Sequence, residues 1–448
     1  MTMLLLLAAA SLRAADPISQ VFSCAKQGTV GGLGAGTDLT RYTIDVTQYP
    51  NAVCNDGTPA VFYYGRYTKN EDRDKWIIFL QGGGSCIDGQ TCGERWCSID
   101  TNYGYDKMTT SITKPSIRGV GFLDPDPKNN FGSWNRVLIF YCSSDAWGGT
   151  TTKTLSATLN GAPARDYQIH FHGSYIVDAV LDTLRNVRLA GRRHAVTHGI
   201  SAQADASTWP DLDDAREVMF AGSSGGGAGV RANLDRVGEK LKATNPGLDF
   251  RGLIDAIYGT LAENRNFATS VYCLNDPVHG CDYASFSKAT QEAIEIGLYS
   301  TRGDESCLQW HTAHAPGTEW RCGDGEHVQL NHITTPFFIH QDLQDTSIGG
   351  GWVEAGFGAP SDYARAVESE LRNLQTPEEP RGATPGLFVP QCTDHESFTN
   401  DPAVFRVKLA GISYHDAVWN WWTHTQPQQV IRPFSGTPGK APECPLTP

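Results

Sequence analysis

A short apolar run at 218–221 that breaks into glycines around two serines constrains the fold of this chain more than any other stretch. Its Gly222-Ser223-Ser224-Gly225-Gly226 segment has the spacing G-x-S-x-G, with Ser224 as the central serine. This spacing is typical of a sharp strand-to-helix turn, because small flanking residues let the backbone fold tightly and leave the serine hydroxyl exposed. Apolar residues then recur at helical spacing from 230 to 241. We therefore predict a strand, a tight turn and a helix, with Ser224 as a candidate nucleophile.

Two other structures explain a turn of this composition. A glycine-rich turn can be a plain connection, or it can cradle a phosphate. No G-K-[ST] triplet follows the glycines, which disfavours a phosphate-binding loop.

A second glycine cluster follows another predicted buried strand. The apolar run at 75–80 ends in a glutamine and three glycines at 81–84. Glycines at a strand end leave backbone N–H groups unobstructed, which is what an oxyanion hole requires. In hydrolases whose nucleophilic serine lies in such a strand-to-helix turn (here called the serine turn), this strand end supplies one N–H donor of the oxyanion hole. The residue after the serine supplies another. We therefore expect Gly83 or Gly84 to act together with Gly225; the alternative is that the glycines only allow close packing.

The chain also offers the base and the carboxylate that a serine nucleophile needs. Asp345 follows a predicted strand at 335–340, and His395 follows a short apolar run at 386–389. The order serine, aspartate, histidine is that of the α/β hydrolases, and it differs from the orders of chymotrypsin and subtilisin. Competing candidates are His172, His332, His340 and His415 for the base and Asp255, Asp342 and Asp394 for the acid.

The alternation of strand and helix signals predicts an α/β fold. Apolar runs of strand length at 75–80, 136–142, 218–221, 251–257 and 335–340 are separated by segments that include amphipathic helices. This pattern is typical of a mostly parallel central sheet flanked by helices, as in the α/β hydrolases. Between about 258 and 330 the pattern gives way to polar segments with cysteines, which predicts a disulfide-stapled insertion or lid. We expect one domain over residues 16–448.

Charge and cysteine content limit the partners and the compartment. The formal net charge of −13 argues against nucleic acid, whose phosphates need a basic surface. Twelve cysteines without a C-x-x-C pair favour disulfides formed in an oxidising compartment. We expect local bridges within the trio Cys86, Cys92 and Cys97 and in the pairs Cys273 with Cys281 and Cys307 with Cys322. The alternative for the last pair is a zinc site with His311 and His314, but the spacing does not match the usual zinc motifs. We expect neither a metal nor a cofactor.

The N-terminus predicts export. Residues 1–15 form a short apolar run that ends in small residues, as in the core and cleavage region of a signal peptide, although no basic residue precedes the run. No later run reaches the roughly 18 apolar residues of a membrane span. We therefore expect a secreted or periplasmic protein.

Together these stretches resemble the pectin acetylesterase family, which includes the animal notum carboxylesterases. The similar motifs are Phe79-Leu-Gln-Gly-Gly-Gly-Ser-Cys86, Tyr141-Cys-Ser-Ser-Asp145, Gly222-Ser-Ser-Gly-Gly226, Arg251-Gly-Leu-Ile-Asp255, Thr335-Pro-Phe-Phe-Ile339 leading to Asp345, and Gln391-Cys392 leading to His395. The resemblance implies an α/β-hydrolase-type fold and a secreted serine esterase without a metal. It assigns Ser224 as nucleophile, Asp345 as orienting acid and His395 as base, and it favours Asp345 over Asp342.

Three positions depart from the family pattern. Gln81 stands in place of a glutamate, Gly84-Ser85 in place of a common aromatic residue, and Gly225 in place of an alanine. All three departures lie in or beside the expected oxyanion hole, so they bear on how the substrate is recognised there.

The leading hypothesis for the substrate is an acylated glycan, from which a two-step acyl transfer removes O-acetyl groups. A first alternative is a notum-like deacylase that removes longer fatty acyl groups from a protein or a lipid. A second is a non-catalytic protein that keeps the fold and binds carbohydrate or a cell surface.

Overall fold

The protein is built around one large mixed sheet. The computed structural model describes residues 15–24, 33–100, 103–185, 209–271, 282–374, 383–425, 429–435 and 443–444, and the backbone of residues 195–196. The strands in chain order are β1 (Ala35–Ile44), β2 (Val61–Gly65), β3 (Lys75–Leu80), β4 (Ser116–Ile117), β5 (Asn135–Ile139), β6 (Thr151–Ala157), β7 (Arg165–Phe171), β8 (Ala195–Val196), β9 (Glu217–Ser223), β10 (Asp249–Asp255), β11 (Phe337–His340), β12 (Gly386–Val389), β13 (Lys408–Leu409), β14 (Ile412–Ser413) and β15 (Gln429–Ile431).

Helices connect and flank these strands. In chain order they are α1 (Ile18–Val21), α2 (Gly89–Cys97), α3 (Gly173–Arg185), α4 (Gly225–Lys242), α5 (Tyr283–Thr290), a π-helix (Gln291–Tyr299), α6 (Glu305–His314), α7 (Gly325–Asn331), α8 (Ile348–Glu354), α9 (Pro360–Arg372), α10 (Asp401–Phe405) and α11 (Tyr414–Trp422).

The order of the large sheet is β15-β12-β11-β10-β9-β3-β5-β2-β1-β4, and β8 pairs with β1. The remaining strands form two separate antiparallel pairs, β6 with β7 and β13 with β14. From β15 to β5 every neighbouring pair is parallel, whereas β2, β1 and β4 continue the sheet with antiparallel pairing. The central strands are apolar along most of their length because helices cover both faces of a parallel sheet. The predicted fold class, a mostly parallel sheet flanked by helices, is confirmed.

The register of the central strands brings their carboxyl ends to one edge. Leu80 of β3 lies opposite Gly222 of β9, and Asp255 of β10 lies opposite both Ser223 and His340. Residues that follow these strands therefore converge at this edge, which is where open α/β sheets place their sites.

Five disulfides join the described cysteines: Cys24–Cys97, Cys54–Cys142, Cys86–Cys92, Cys307–Cys322 and Cys392–Cys444. The predicted local bridges Cys86–Cys92 and Cys307–Cys322 are confirmed, and the predicted pair Cys273 with Cys281 lies outside the described residues. Disulfides of this number indicate the oxidising, extracytoplasmic compartment that the sequence predicted. Among the described residues, no helix combines the length and the apolar content that crossing a bilayer requires.

One cysteine prediction needs correction. Cys97 does not belong to a local trio, because it pairs with Cys24, 73 residues earlier. The reason is that α2 packs against the N-terminal segment, where the Trp96 indole donates a hydrogen bond to the Phe22 carbonyl at 3.0 Å. The last residue of α2 therefore faces Cys24.

The predicted insertion contains α5, the π-helix, α6 and α7. An ion pair joins the insertion to α4, the helix that follows Ser224. In this pair Arg231 of α4 contacts Glu326 of α7 at 2.9 Å. Glu326 also accepts the Gly259 N–H at 3.0 Å, at the point where the chain leaves the sheet. The predicted signal peptide spans residues 1–15, of which residues 1–14 lie outside the described part of the chain.

Candidate active site

Ser224 occupies the turn between β9 and α4 with φ 54° and ψ −124°. Positive φ is strained for a residue with a side chain, and such strain is typical of a serine held at a nucleophile turn. The glycines around it are required by space, because a Cβ at Gly222 would overlap the Gly226 carbonyl and a Cβ at Gly226 would overlap the Leu80 carbonyl. The predicted strand, turn and helix are present in this order.

The glycines after β3 lie against the first turn of α4. A Cβ placed on Gly225 would be 3.3 Å from the Gly84 nitrogen and 3.7 Å from the Gly83 nitrogen, so the backbone amides predicted for the oxyanion hole are neighbours. Gly83 has φ 140° and Gly84 has φ 62°, both in the region that favours glycine. The buried Arg95 side chain holds this loop by donating from Nη2 to the Gly83 carbonyl at 2.7 Å.

An aromatic side chain lies on the oxyanion glycines although the sequence lacks one at positions 84 and 85. The Tyr103 ring covers Gly84, where an added Cβ would be 2.8 Å from the ring, and the Tyr103 hydroxyl donates to the Ser85 carbonyl at 3.0 Å. Arg95 lies over the same ring at 4.4 Å from its centroid. The sequence analysis missed Tyr103 because it reaches this loop from a separate segment.

His395 and Asp345 are hydrogen-bonded to each other. His395 Nδ1 lies 2.8 Å from Asp345 Oδ2, and the other carboxylate oxygen accepts the N–H groups of Ser347 at 2.8 Å and Ile348 at 2.9 Å. Gln341 Nε2 donates to Oδ2 at 3.1 Å. An aspartate held in this way keeps the proton of a neutral histidine on Nδ1 and leaves Nε2 free to accept one.

The competing aspartate, Asp342, is in a different state. Burial raises its pKa well above the usual range, and the nearby charges of Asp345, Asp394 and Asp255 raise it further. Ser397 donates to Asp342 at 3.4 Å. Burial among other carboxylates therefore disfavours the charged form of Asp342, and the carboxylate that contacts His395 is Asp345.

Two other competing side chains, Asp255 and His340, contact each other. Asp255, at the end of β10, accepts hydrogen bonds from Ser223 Oγ at 2.5 Å and from the Phe398 N–H at 3.0 Å, and its second oxygen lies 2.6 Å from His340 Nδ1. Its backbone carbonyl accepts the Ser224 N–H at 2.9 Å. Asp255 thus holds both the serine turn and the loop that carries His395.

The three remaining histidine candidates also have partners away from Asp345. His172 lies 3.2 Å from Thr152 Oγ1, His415 Nε2 accepts the Asn130 N–H at 3.1 Å, and His332 packs against other histidines in the insertion.

The loop of His395 lies directly against the serine turn. A Cβ on Gly82 would overlap the Glu396 carboxylate and would lie 2.6 Å from the Ser223 carbonyl. The structure therefore brings the segments of Ser224, Asp345, His395 and the three glycines to one edge of the sheet.

The pKa of His395 predicts the acid limb of the pH–rate profile. Burial lowers this pKa, but the hydrogen bond and charge of Asp345 and the charge of Glu396 outweigh burial and raise it above 6.5. Because a protonated histidine cannot accept a proton, kcat/KM should fall as the pH falls through a midpoint above 6.5. The measurement is kcat/KM for a neutral ester between pH 5 and 9, with folding followed at each pH. A midpoint at or below 6.5 in a folded sample would contradict the role of Asp345.

Comparison with known proteins assigns the family. The chain is 30% identical over 398 residues to palmitoleoyl-protein carboxylesterase notum2 of Xenopus laevis, a match that covers 85% of this chain and 68% of that protein. This chain belongs to the Notum family. Its residues 35–210 also match the family model described as pectinacetylesterase. Human palmitoleoyl-protein carboxylesterase NOTUM is 26% identical over 404 residues, with 87% of this chain and 68% of that protein covered. Against notum1a of Danio rerio the chain spans 63% of the relative's length.

Solved structures give the same assignment of the fold. A crystal structure of the Wnt deacylase Notum from Drosophila superposes with a TM-score of 0.64 at 25% identity, covering 92% of this chain and 100% of that chain. A second crystal form gives a TM-score of 0.63. The predicted family is therefore confirmed, and the chain is a carboxylic ester hydrolase, as its relatives are named.

Proposed function

We propose that this chain is a serine esterase that removes a fatty acyl group from a protein. Its catalytic triad is Ser224, His395 and Asp345. Its oxyanion hole is formed by the N–H groups of Gly83, Gly84 and Gly225. The support for these roles is the 2.8 Å contact between His395 and Asp345 at the edge of the sheet where the positive-φ serine and the glycine loop meet.

The proposed reaction proceeds by two acyl transfers. His395 Nε2 takes the proton of Ser224 as its oxygen attacks the ester carbonyl, and Asp345 stabilises the resulting imidazolium. The glycine N–H groups donate to the oxygen that becomes negative in the tetrahedral intermediate. His395 then passes the proton to the leaving alcohol. A water molecule, activated in the same way, releases the fatty acid and restores the serine.

The names of the relatives indicate the class of substrate. Several are palmitoleoyl-protein carboxylesterases, so the similarity favours the long-chain alternative over removal of acetyl groups from a glycan. The segment that follows the glycine loop at 81–84 supports this choice, because three of its large apolar side chains are exposed. They are Ile87, Ile99 and Tyr103, of which Tyr103 lies on Gly84.

We further propose that residues 16–448 form one catalytic domain whose insertion, at about 258–330, borders the site. The Arg231 to Glu326 ion pair supports this arrangement, because it joins the insertion to the helix that begins directly after Ser224.

Chain-length preference tests the substrate class. With p-nitrophenyl esters from acetate to palmitate, we expect kcat/KM to be greater for medium or long chains than for acetate, because each buried methylene contributes about 0.8 kcal/mol to binding. Release of palmitoleate from an O-palmitoleoylated serine peptide should follow. The matched control is acetate release from acetylated pectin under the same conditions.

A maximum at acetate, together with acetate release from pectin, would overturn the fatty acyl proposal and restore the glycan hypothesis. A folded, disulfide-bonded sample that hydrolyses none of these esters would contradict the esterase assignment and leave the non-catalytic alternative.

A further inference from the structure

Three histidines of the insertion converge in the protein interior. His311 lies on α6, His327 lies on α7 and His332 follows α7, and their exposed fractions are 0%, 0% and 4%. The ring centroids are 5.3, 5.5 and 5.2 Å apart, which makes a nearly equilateral triangle. The sequence did not connect them, since it paired His311 with the neighbouring His314. The structure instead places His314 at the exposed end of α6.

The spacing of the ring nitrogens fits a metal ion. His311 Nε2 and His327 Nε2 are 3.1 Å apart. In a tetrahedral zinc site with Zn–N bonds of about 2.0–2.1 Å, two ligand nitrogens are separated by about 3.3 Å. One ligand atom from each histidine, together with Cys307 Sγ, lies within 4.8 Å of every other. The His311–His327 pair therefore has nearly the spacing of two zinc ligands, and one nitrogen of His332 lies within 4.8 Å of both.

A hydrogen bond to Thr318 fixes the tautomer of His311. His311 Nδ1 lies 2.7 Å from Thr318 Oγ1, and that hydroxyl donates its own hydrogen to the Ala315 carbonyl at 2.6 Å. Thr318 must therefore accept from His311 Nδ1, which leaves the lone pair on Nε2. Metal-bound histidines are held by such a second hydrogen bond.

Cys307 does not add a thiolate to this set, because it is bonded to Cys322. Among the described residues the donors are then three imidazoles. Three histidines with a water molecule in the fourth position are a known zinc ligand set.

A hydrogen-bonded trio is the alternative to an ion. In that state His327 Nε2–H donates to His311 Nε2, and the Asn331 amide donates to His327 Nδ1 at 3.2 Å. Metal binding needs the other tautomer of His327, with its lone pair on Nε2. The two states therefore exclude each other, and metal content distinguishes them.

We propose that His311, His327 and His332 bind one divalent transition-metal ion, zinc by the chemistry of the donors. The ion joins α6 to α7 beside the Cys307–Cys322 bridge. In turn, α7 is bound to α4 through the ion pair of Glu326 with Arg231. Its role is structural, since it holds the insertion in place. The proposal does not depend on the esterase assignment.

The first test is the metal content of the full chain, purified without a histidine tag from an oxidising compartment and dialysed against metal-free buffer. Inductively coupled plasma mass spectrometry should find about one zinc ion per chain. His327→Gln should reduce this to background, whereas His314→Gln, on the exposed end of the same helix, should leave it unchanged. A chelator should lower the melting temperature of the wild type, and added Zn²⁺ should restore it.

Cobalt substitution keeps the test decisive if His327→Gln does not fold. Co²⁺ added to the zinc-depleted wild type should give the visible absorption of a tetrahedral site without the near-ultraviolet band of a cobalt–thiolate bond. Background zinc in the wild type, with no cobalt spectrum and no response of the melting temperature, would overturn the site in favour of the hydrogen-bonded trio. Equal loss of zinc in His314→Gln, or a cobalt–thiolate band, would overturn the assigned ligands.

Discussion

Replacing Ser224 with alanine should reduce kcat/KM for p-nitrophenyl esters by at least about 10³-fold, because the substitution removes the atom that forms the acyl-enzyme. Alanine at this position keeps the backbone and takes away only the hydroxyl, so the loss should appear in kcat with little change in the melting temperature. The measurement is steady-state hydrolysis with the best substrate of the chain-length series, beside thermal unfolding of both proteins.

The neighbouring serine provides a matched control. Ser223 is also buried, but its hydroxyl donates to Asp255, and it is the last residue of β9. Ser223→Ala should therefore retain activity within about tenfold of the wild type, since it leaves the Ser224 hydroxyl in place and removes a supporting hydrogen bond whose loss lowers the stability by about 1–3 kcal/mol. Equal losses in the two variants, or a greater loss in Ser223→Ala, would contradict Ser224 as the nucleophile.

Replacing Asp345 with asparagine should lower kcat by about 10³- to 10⁴-fold. The amide nitrogen cannot accept the His395 Nδ1 proton, and the charge that stabilises the imidazolium is lost. Asparagine retains the shape of the side chain, so folding should be preserved. The measurement is kcat at the pH optimum of each variant.

Asp342→Asn is the sharpest control for this assignment. The two aspartates are three positions apart and both are buried, yet Asp345 contacts the histidine, whereas burial raises the pKa of Asp342. Asparagine keeps the shape of this side chain and removes a charge that burial already disfavours, so Asp342→Asn should leave kcat within about tenfold. A large loss of kcat in Asp342→Asn together with a small loss in Asp345→Asn would instead assign the role of orienting acid to Asp342.

The difference between the two aspartates shows how far the residues alone could identify the site. The spacing of residues after the predicted strand at 335–340 admits either carboxylate, and only the resemblance to the family favours Asp345. The structure separates them by their surroundings: Asp345 is held by two backbone N–H groups and Gln341, whereas Asp342 lies among other carboxylates.

Asp255 and His340 illustrate a second limit. Each has the residue type and the strand-end position that a triad member needs, so the sequence treats them as competitors. In the structure they pair with each other at 2.6 Å and support the serine turn and the His395 loop. Their role depends on the pairing of β10 with β11, which no local pattern encodes.

The sequence by itself determined the serine turn, the glycine loop and the mostly parallel sheet. These are local consequences of sterics and burial, since only glycine fits beside Ser224 and only apolar strands can be covered on both faces. The tertiary structure decided the remaining features: the Cys24–Cys97 bridge, the ring of Tyr103 on Gly84, the partner of His395 and the trio of buried histidines. Each of these joins segments that meet only when strands and helices pack, and the identity of the contacting side chains follows from register and burial rather than from spacing along the chain.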